Sequence, residues 1–265
     1  MSTDVLELDT GVLLSKVIDS TLLVTLNRPD QSNALDVELM DALRHLWKSA
    51  ASDPRLRCIV ITGGGRHFCA GADASMLSAP RDKVGETASD ELSFLPGPRV
   101  DIPVIAAVNG ACAGGGLHFV ADADISIAAE GARFLDPHVS IGQVTALEPL
   151  TLRLQMRPDR LSRMVLLGKH ESIRAHDAEL YGLVSEVVSA EDLIDRALEL
   201  ASLIALNSPE AVRLSRRSLR TFEERLLATD LDLGWELIRR HRQHPDALEG
   251  PSAFIEKREP RWMQP

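Results

Sequence analysis

Two apolar runs that each end in a glycine-rich turn constrain this chain more than any other feature. The second, IPVIAAVNGACAGGGLHF at 102–119, carries apolar residues from 104 to 108 between Pro103 and Asn109-Gly110, the pattern of a buried strand stopped by a turn. Gly114, Gly115 and Gly116 follow, and 117–122 continues as a helix. Three consecutive glycines lose much conformational entropy on ordering, so such a run is kept where the backbone must approach something closely. N–H groups at a helix start lack intrahelical partners and sit at the positive end of the dipole. They suit an oxygen that carries or acquires negative charge. The first run, LRCIVITGGGRHFCAGAD at 56–73, repeats the design, and two such loops can face one site. Standing alone, either would read equally well as a flexible loop. A nucleotide-phosphate loop is excluded, because no Lys-Ser/Thr follows 63–67 and Phe119 stands where a GxGxxG motif begun at Gly114 needs glycine.

Elsewhere strands give way to helices. Segments 12–18 and 21–26 are β-rich and joined at Asp19-Ser20, a hairpin. Asp36 caps an amphipathic helix with apolar Val37, Leu39, Met40, Leu43, Leu46 and Trp47, ending near Asp53-Pro54. A strand follows at 57–62. The polar stretch 78–98, with Pro80, Pro96, Gly97 and Pro98, predicts a flap over the site, with a helix near 87–94. Beyond the central stretch come strands at 124–128 and 132–135 and helices at 147–156, 160–167 and 174–181, with Gly168 and Gly182 as stops. A last strand at 183–188 precedes helices at 190–206, 210–221 and 223–244. The fold class is α/β: a β/α core over 1–200 and a helical C-terminal region over 201–265.

At 265 residues the chain is long enough for one sizeable domain. With 29 basic and 39 acidic residues its net charge is -10, which argues against general affinity for nucleic acid and requires local positive groups for any anionic ligand. No apolar run approaches the ~20 residues of a membrane span. The start, MSTDVLELDTG, is acidic where a signal peptide is basic, so the expected location is the cytoplasm. Cys58, Cys69 and Cys112 read as reduced core thiols. His241 and His244 lack a third ligand and read as the surface of a solvated helix, so no metal is expected.

The segments FCAGAD (68–73) and AAVNGACAGGG (106–116) resemble the two hallmark segments of the enoyl-CoA hydratase/isomerase (crotonase) superfamily, and the likeness runs from LNRPDQSNAL (26–35) to AFIEKREPRW (253–262). The resemblance implies a crotonase-like spiral of ββα units whose C-terminal helices build a homotrimer or a dimer of trimers. It implies an acyl-CoA thioester as substrate, with coenzyme A carried by that substrate and no permanently bound cofactor. The matching oxyanion positions are the amides of Ala72 and Gly115, which hold the thioester oxygen while an enolate forms. Arg28 and Gln31 fall near the phosphate and pantetheine end of coenzyme A, and Ala70, Gly71 and Asp73 along its adenine. Phe254 and Lys257 reach from a neighbouring subunit; three apart, they share a face if helical.

Family hydratases carry one glutamate two positions after the triple glycine and another in a Pro-Glu step. His118 and His138 stand at these positions here. Each replaces an anionic base by a ring that is neutral or cationic near pH 7, so acid and base roles survive while the local charge changes sign. Where the family has an IPGAGG-like turn that seats water, this chain reads GQVTALEPL (142–150). Within it Glu148 reads in three ways, as an orienter of His138, as a base, or as an acid at a helix start. The implied activity is that of an enoyl-CoA hydratase/isomerase, a lyase or isomerase. Ordinary hydration of short enoyl-CoA is expected to be weak or absent, and His118 and His138 to serve isomerisation, specialised hydration or C–C hydrolysis. Superfamily hydrolases of β-diketones use a histidine in the matching Pro-His step. A catalytically silent acyl-CoA binder is the alternative of another class.

Overall fold

A computed structural model describes residues 6–73, 76 and 85–263; of the expected 78–98 flap, 78–84 lies outside the described residues. The strands are β1 (Leu8–Asp9), β2 (Leu13–Ile18), β3 (Thr21–Leu26), β4 (Cys58–Gly63), β5 (Val104–Val108), β6 (Ala111–Ala113), β7 (Ile125–Ala129), β8 (Arg133–Leu135), β9 (Ile173–Arg174) and β10 (Glu186–Val188). Among the described residues, seven of them form one sheet in the order β1-β2-β3-β4-β5-β7-β10, antiparallel from β1 to β3 and parallel from β3 onward. The other three form a small sheet in the order β6-β8-β9.

Chain order explains how the two sheets are wound together. β5 leaves the large sheet at Val108, turns through Asn109-Gly110 and enters the small sheet as β6 before the helix Leu117–Asp122. β7 passes into β8 in the same way. Each turn of the spiral is therefore strand, strand and, where space allows, helix. At its centre, along β4 and β5, the large sheet is buried on both faces, as near-continuous apolar strands require. Along β4, Ile59 and Ile61 pack with Leu39, Leu43, Trp47 and Phe68, whereas Cys58 and Val60 face the other way, toward Leu193, Ala197 and Ala201 of the helix Leu193–Ala205. That alternation is the period of two of a strand, and the four-residue spacing is one face of a helix. Cys58, Cys69 and Cys112 are buried and unbridged, and burial pushes the thiols of Cys58 and Cys69 up to about 12.

Several elements differ from the sequence reading. The two helices expected at 210–221 and 223–244 are one helix, Pro209–His241, of 33 residues, because nothing near Phe222 breaks a helix. Helix 147–156 shortens to Glu148–Leu152, strand 183–188 to Glu186–Val188, and the helix expected from 174 starts at Ala175 because Ile173 and Arg174 pair with β8. The helix near 87–94 is a single turn, Ala88–Glu91, closed by a capping box between Thr87 and Asp90.

The long helix is pinned to the core by the buried Arg216, whose Nε donates to Asp124 at 2.7 Å and whose Nη1 donates to the Val100 carbonyl at 2.8 Å. Further along, Trp235 packs on Leu147 and Ala88 and donates to the Gly85 carbonyl at 2.9 Å. This brings the end of the helix over the glycine turns. Among the described residues no helix is long and apolar enough to cross a membrane.

Candidate active site

The two glycine turns meet through short bridges. Leu35 and Ala72 pair in parallel, with the Leu35 amide donating to the Gly71 carbonyl (2.7 Å) and the Asp73 amide to the Leu35 carbonyl (2.9 Å). In such a bridge the middle residue turns its own N–H away from the partner strand. On that side lies Gly115: a Cβ built on Gly115 would stand 3.5 Å from the Ala72 nitrogen, and one built on Gly71 would stand 2.9 Å from the Gly115 nitrogen. The main chains of Cys69 and Cys112, whose thiols stay free, form the second β-bridge, which holds the two turns level.

Ala72 and Gly115 border a cavity of about 110 Å³ whose wall also holds His118, His138 and Glu148. Its far wall includes Leu92, Trp235 and Ile238, with Glu91 and Arg242 as charged members. A larger cleft of about 510 Å³ opens elsewhere, where 50–57 and 100–103 meet the start of the long helix, and contains none of the site residues read from the sequence.

Glu148, 5% exposed, is the first residue of the helix Glu148–Leu152. Its Oε1 lies 3.1 Å from Nε2 of His118 and 3.8 Å from Nε2 of His138. It is thus both the helix-start acid and a partner of the histidines, with His118 the nearer of the two. Asp136, 1% exposed, was not singled out by the sequence reading. Its Oδ1 accepts from the backbone N–H (3.2 Å) and Nδ1 (2.6 Å) of His138, and its Oδ2 accepts the Thr145 hydroxyl at 2.7 Å. The available signal was the order Asp136-Pro137-His138, since an aspartate commonly accepts the N–H two residues on. His138 therefore has a carboxylate at each ring nitrogen.

This arrangement sets the charges. Burial opposes a proton on His138, but Glu148 and then Asp136 outweigh it and hold the ring up at about 9. Burial alone would raise Glu148; His118 and then His138 reverse that and hold its carboxyl well below the usual range. At neutral pH His138 is an imidazolium and Glu148 a carboxylate. Because His138 is raised above the ~6.5 of a free imidazole, its contribution to stability is complete below about pH 6.5 and is lost as pH rises through about 9. Glu148, shifted the other way, contributes above its ordinary ~4.3 and loses that contribution as acid protonates it. The melting temperature is thus expected to fall between pH 6.5 and 9, and the fall to be smaller in His138→Gln. Equal slopes in a calorimetric pH series would contradict the pairing of a charged His138 with Glu148 and Asp136.

Of the residues matched to coenzyme A, Arg28, Gln31, Ala70, Gly71 and Asp73 lie on two adjoining turns, 28–36 and 70–73. Arg28 pairs with Asp36 at 2.9 Å and Asp73 at 3.3 Å and donates to the Ala34 carbonyl, so it ties the 28–36 loop to the Ala72 turn. Asp73 is half-buried, Gly71 is buried, and Gln31 and Ala70 are exposed. Phe254 is exposed on the last turn of the helix Asp246–Ile255, but Lys257 lies past its end with φ +53°, so the two do not share a helical face. His241 is half-buried at the end of a largely exposed helix, its Nε2 2.8 Å from the Gly142 carbonyl and its ring stacked at 5.5 Å on that of the exposed His244. Among the described residues no group of three or more His, Cys, Asp or Glu is placed to hold a metal ion.

Comparison with known proteins follows the same lines. A family model described as enoyl-CoA hydratase/isomerase matches residues 17–265. Mevalonyl-coenzyme A hydratase sidH of Aspergillus fumigatus is 36% identical over 273 residues, covering 99% of this chain and 98% of that protein. The 2,3-dehydroadipyl-CoA hydratase of Escherichia coli is 37% identical over 243 residues, covering 90% and 93%. Among solved structures, EchA1_1 from Mycobacterium paratuberculosis superposes with a TM-score of 0.87 at 31% identity, covering 96% of this chain and 99% of that one. A carnitinyl-CoA hydratase from Mycobacterium avium gives 0.86 at 30% identity with the same coverage. The backbone likeness bears out the spiral expected from the sequence.

Proposed function

The chain belongs to the enoyl-CoA hydratase/isomerase family, enzymes acting on CoA thioesters, and from that premise we propose that it works through a histidine–glutamate proton circuit in place of two glutamates. The amides of Ala72 and Gly115 hold the thioester oxygen as it becomes an enolate; loss of one such donor typically costs ~3 kcal/mol. In a hydration, a water O–H bond breaks, its proton goes to Glu148 and its oxygen bonds to the β-carbon, while the electron pair moves onto the thioester oxygen. The His138 imidazolium then gives its Nε2 proton to the α-carbon and the thioester carbonyl re-forms. Glu148 returns its proton to His138 Nε2, 3.8 Å away in the resting site. His118 holds Glu148 in place.

The observation that carries this reading is Glu148, buried between His118 and His138 in the wall of the cavity that Ala72 and Gly115 border. A second reading, hydrolysis of a β-dicarbonyl at its C–C bond, is favoured by the Asp136–His138 pair, since a ring fixed at Nδ1 by a buried carboxylate is suited to activating water once Nε2 has given up its proton. In that reaction the leaving group is the enolate, and the same two amides serve it. The distal end of coenzyme A is assigned to the outer side of the 70–73 turn, where Gln31 and Ala70 are exposed, with Phe254 and Lys257 supplied by a neighbouring copy. The exposed Leu219, Phe222, Leu226, Leu233 and Leu237 lie on one face of the long helix and are assigned to contacts within a trimer or a dimer of trimers.

The test follows crotonyl-CoA by loss of absorbance at its conjugated thioester band, beside a panel of longer and polar enoyl-CoA esters, β-diketones and β-oxoacyl-CoA esters. The expected result is slow turnover of crotonyl-CoA, faster turnover of another member, and loss of both in His138→Ala. Tight binding of coenzyme A esters with no turnover of any would instead identify a silent binder.

A further inference from the structure

Thr145 is not among the described residues that line the cavity, yet its hydroxyl joins the two carboxylates of the site. Its Oγ1 lies 2.7 Å from Asp136 Oδ2 and 3.4 Å from Glu148 Oε2. A hydroxyl has one proton to donate. In the resting site that proton goes to Asp136, the shorter contact, and Oγ1 then turns a lone pair toward an ionised Glu148, so two acceptors face each other. The mismatch disappears when Glu148 takes a proton. Glu148 then donates to Thr145, Thr145 donates to Asp136, and Asp136 already accepts from Nδ1 of His138.

We propose that Thr145 is a positioning residue that stabilises the half-reacted state, in which Glu148 holds the proton from water and His138 has given its own to the α-carbon. The inference rests on the proton assignments proposed above. In that state the positive charge of His138 is gone, and an unaided Glu148–OH would face only the two histidine rings. The Thr145 hydroxyl accepts from Oε2 of the protonated Glu148 and donates to Asp136, which lowers the energy of the half-reacted state and with it the barrier to uptake of the proton from water, while Oε1 stays beside Nε2 of His138. The other charged residues lining the cavity are Glu91 and Arg242.

The experiment compares the unaltered enzyme with Thr145→Val and Thr145→Ser on whichever CoA thioester the unaltered enzyme turns over. The expected result is a ~10- to 100-fold lower kcat in the valine variant, the scale of one hydrogen bond to a charged group, with KM changed less than about twofold. The solvent deuterium isotope effect on kcat should rise in Thr145→Val, because proton uptake from water by Glu148 becomes slower, and Thr145→Ser should restore both values. An unchanged kcat and isotope effect in Thr145→Val, or a serine variant no better than valine, overturns the inference. Failure of the underlying reading looks different: His138→Ala would then leave turnover intact, whatever the behaviour at position 145.

Discussion

Replacing Glu148 by alanine is expected to lower kcat/KM by ~10³- to 10⁴-fold, the upper range for one proton-transferring side chain. Two losses combine. No group remains to take the proton from water, and neither His118 nor His138 retains the carboxylate that faces its Nε2. The structural cost is smaller than the ~3–5 kcal/mol of an orphaned buried charge, because His138 keeps the carboxylate of Asp136 at its Nδ1 when Glu148 is gone. Glu148→Gln separates the two effects. The amide keeps the volume and an acceptor for His118 but cannot carry the proton, so activity should fall nearly as far while the melting temperature stays closer to that of the unaltered protein. Steady-state kinetics and thermal unfolding at pH 6 and pH 8 make the comparison. A glutamine variant within tenfold of the unaltered enzyme would remove Glu148 from the circuit.

Much of this site is legible in the chain because its backbone parts are local. β4 and β5 are short apolar runs closed by glycine turns, and nothing distant is needed to see that the turns after them are built for close approach. β6 is different: Ala111–Ala113 has no β-branched residue, and it is a strand only because it pairs with β8 and because Cys112 bridges Cys69. Side-chain partnerships are hidden for the same reason. His118 and His138 stand out against the family pattern, but the carboxylate that fixes His138 lies two residues before it, and Thr145 becomes a partner only when the 142–150 segment folds back on Asp136. Arg28 read as a coenzyme A contact, whereas its ion pairs with Asp36 and Asp73 depend on a loop that Asn33 closes, its side chain donating to the carbonyls of Gly64 (2.9 Å) and His67 (2.7 Å). Phe254 and Lys257, three apart, share a face only if both are helical, and spacing does not show that the helix has ended before Lys257.

The amide pair can be tested without touching any ionisable group. Gly71 has φ +88°, and a Cβ there would stand 2.8 Å from the Ala113 carbonyl oxygen and 2.9 Å from the Gly115 nitrogen. Both are main-chain atoms of the opposing turn, held by the Cys69–Cys112 bridge and by β6, so a methyl group must push the turns apart. Gly71→Ala is therefore expected to reduce kcat by ~10²- to 10³-fold, the effect of removing one oxyanion donor. It should also lower stability by about 1–2 kcal/mol through the left-handed backbone alone. Gly131→Ala is the matched control, since a Cβ at Gly131 meets nothing within 4 Å, and it should stay within ~0.5 kcal/mol and keep full turnover. Assays well below the melting point of each variant keep folding and chemistry apart: a merely destabilised Gly71→Ala would regain normal kcat on cooling, whereas displaced amides would not. If that variant turns over its thioester as fast as the Gly131 control, the enolate oxygen is held by something other than Ala72 and Gly115.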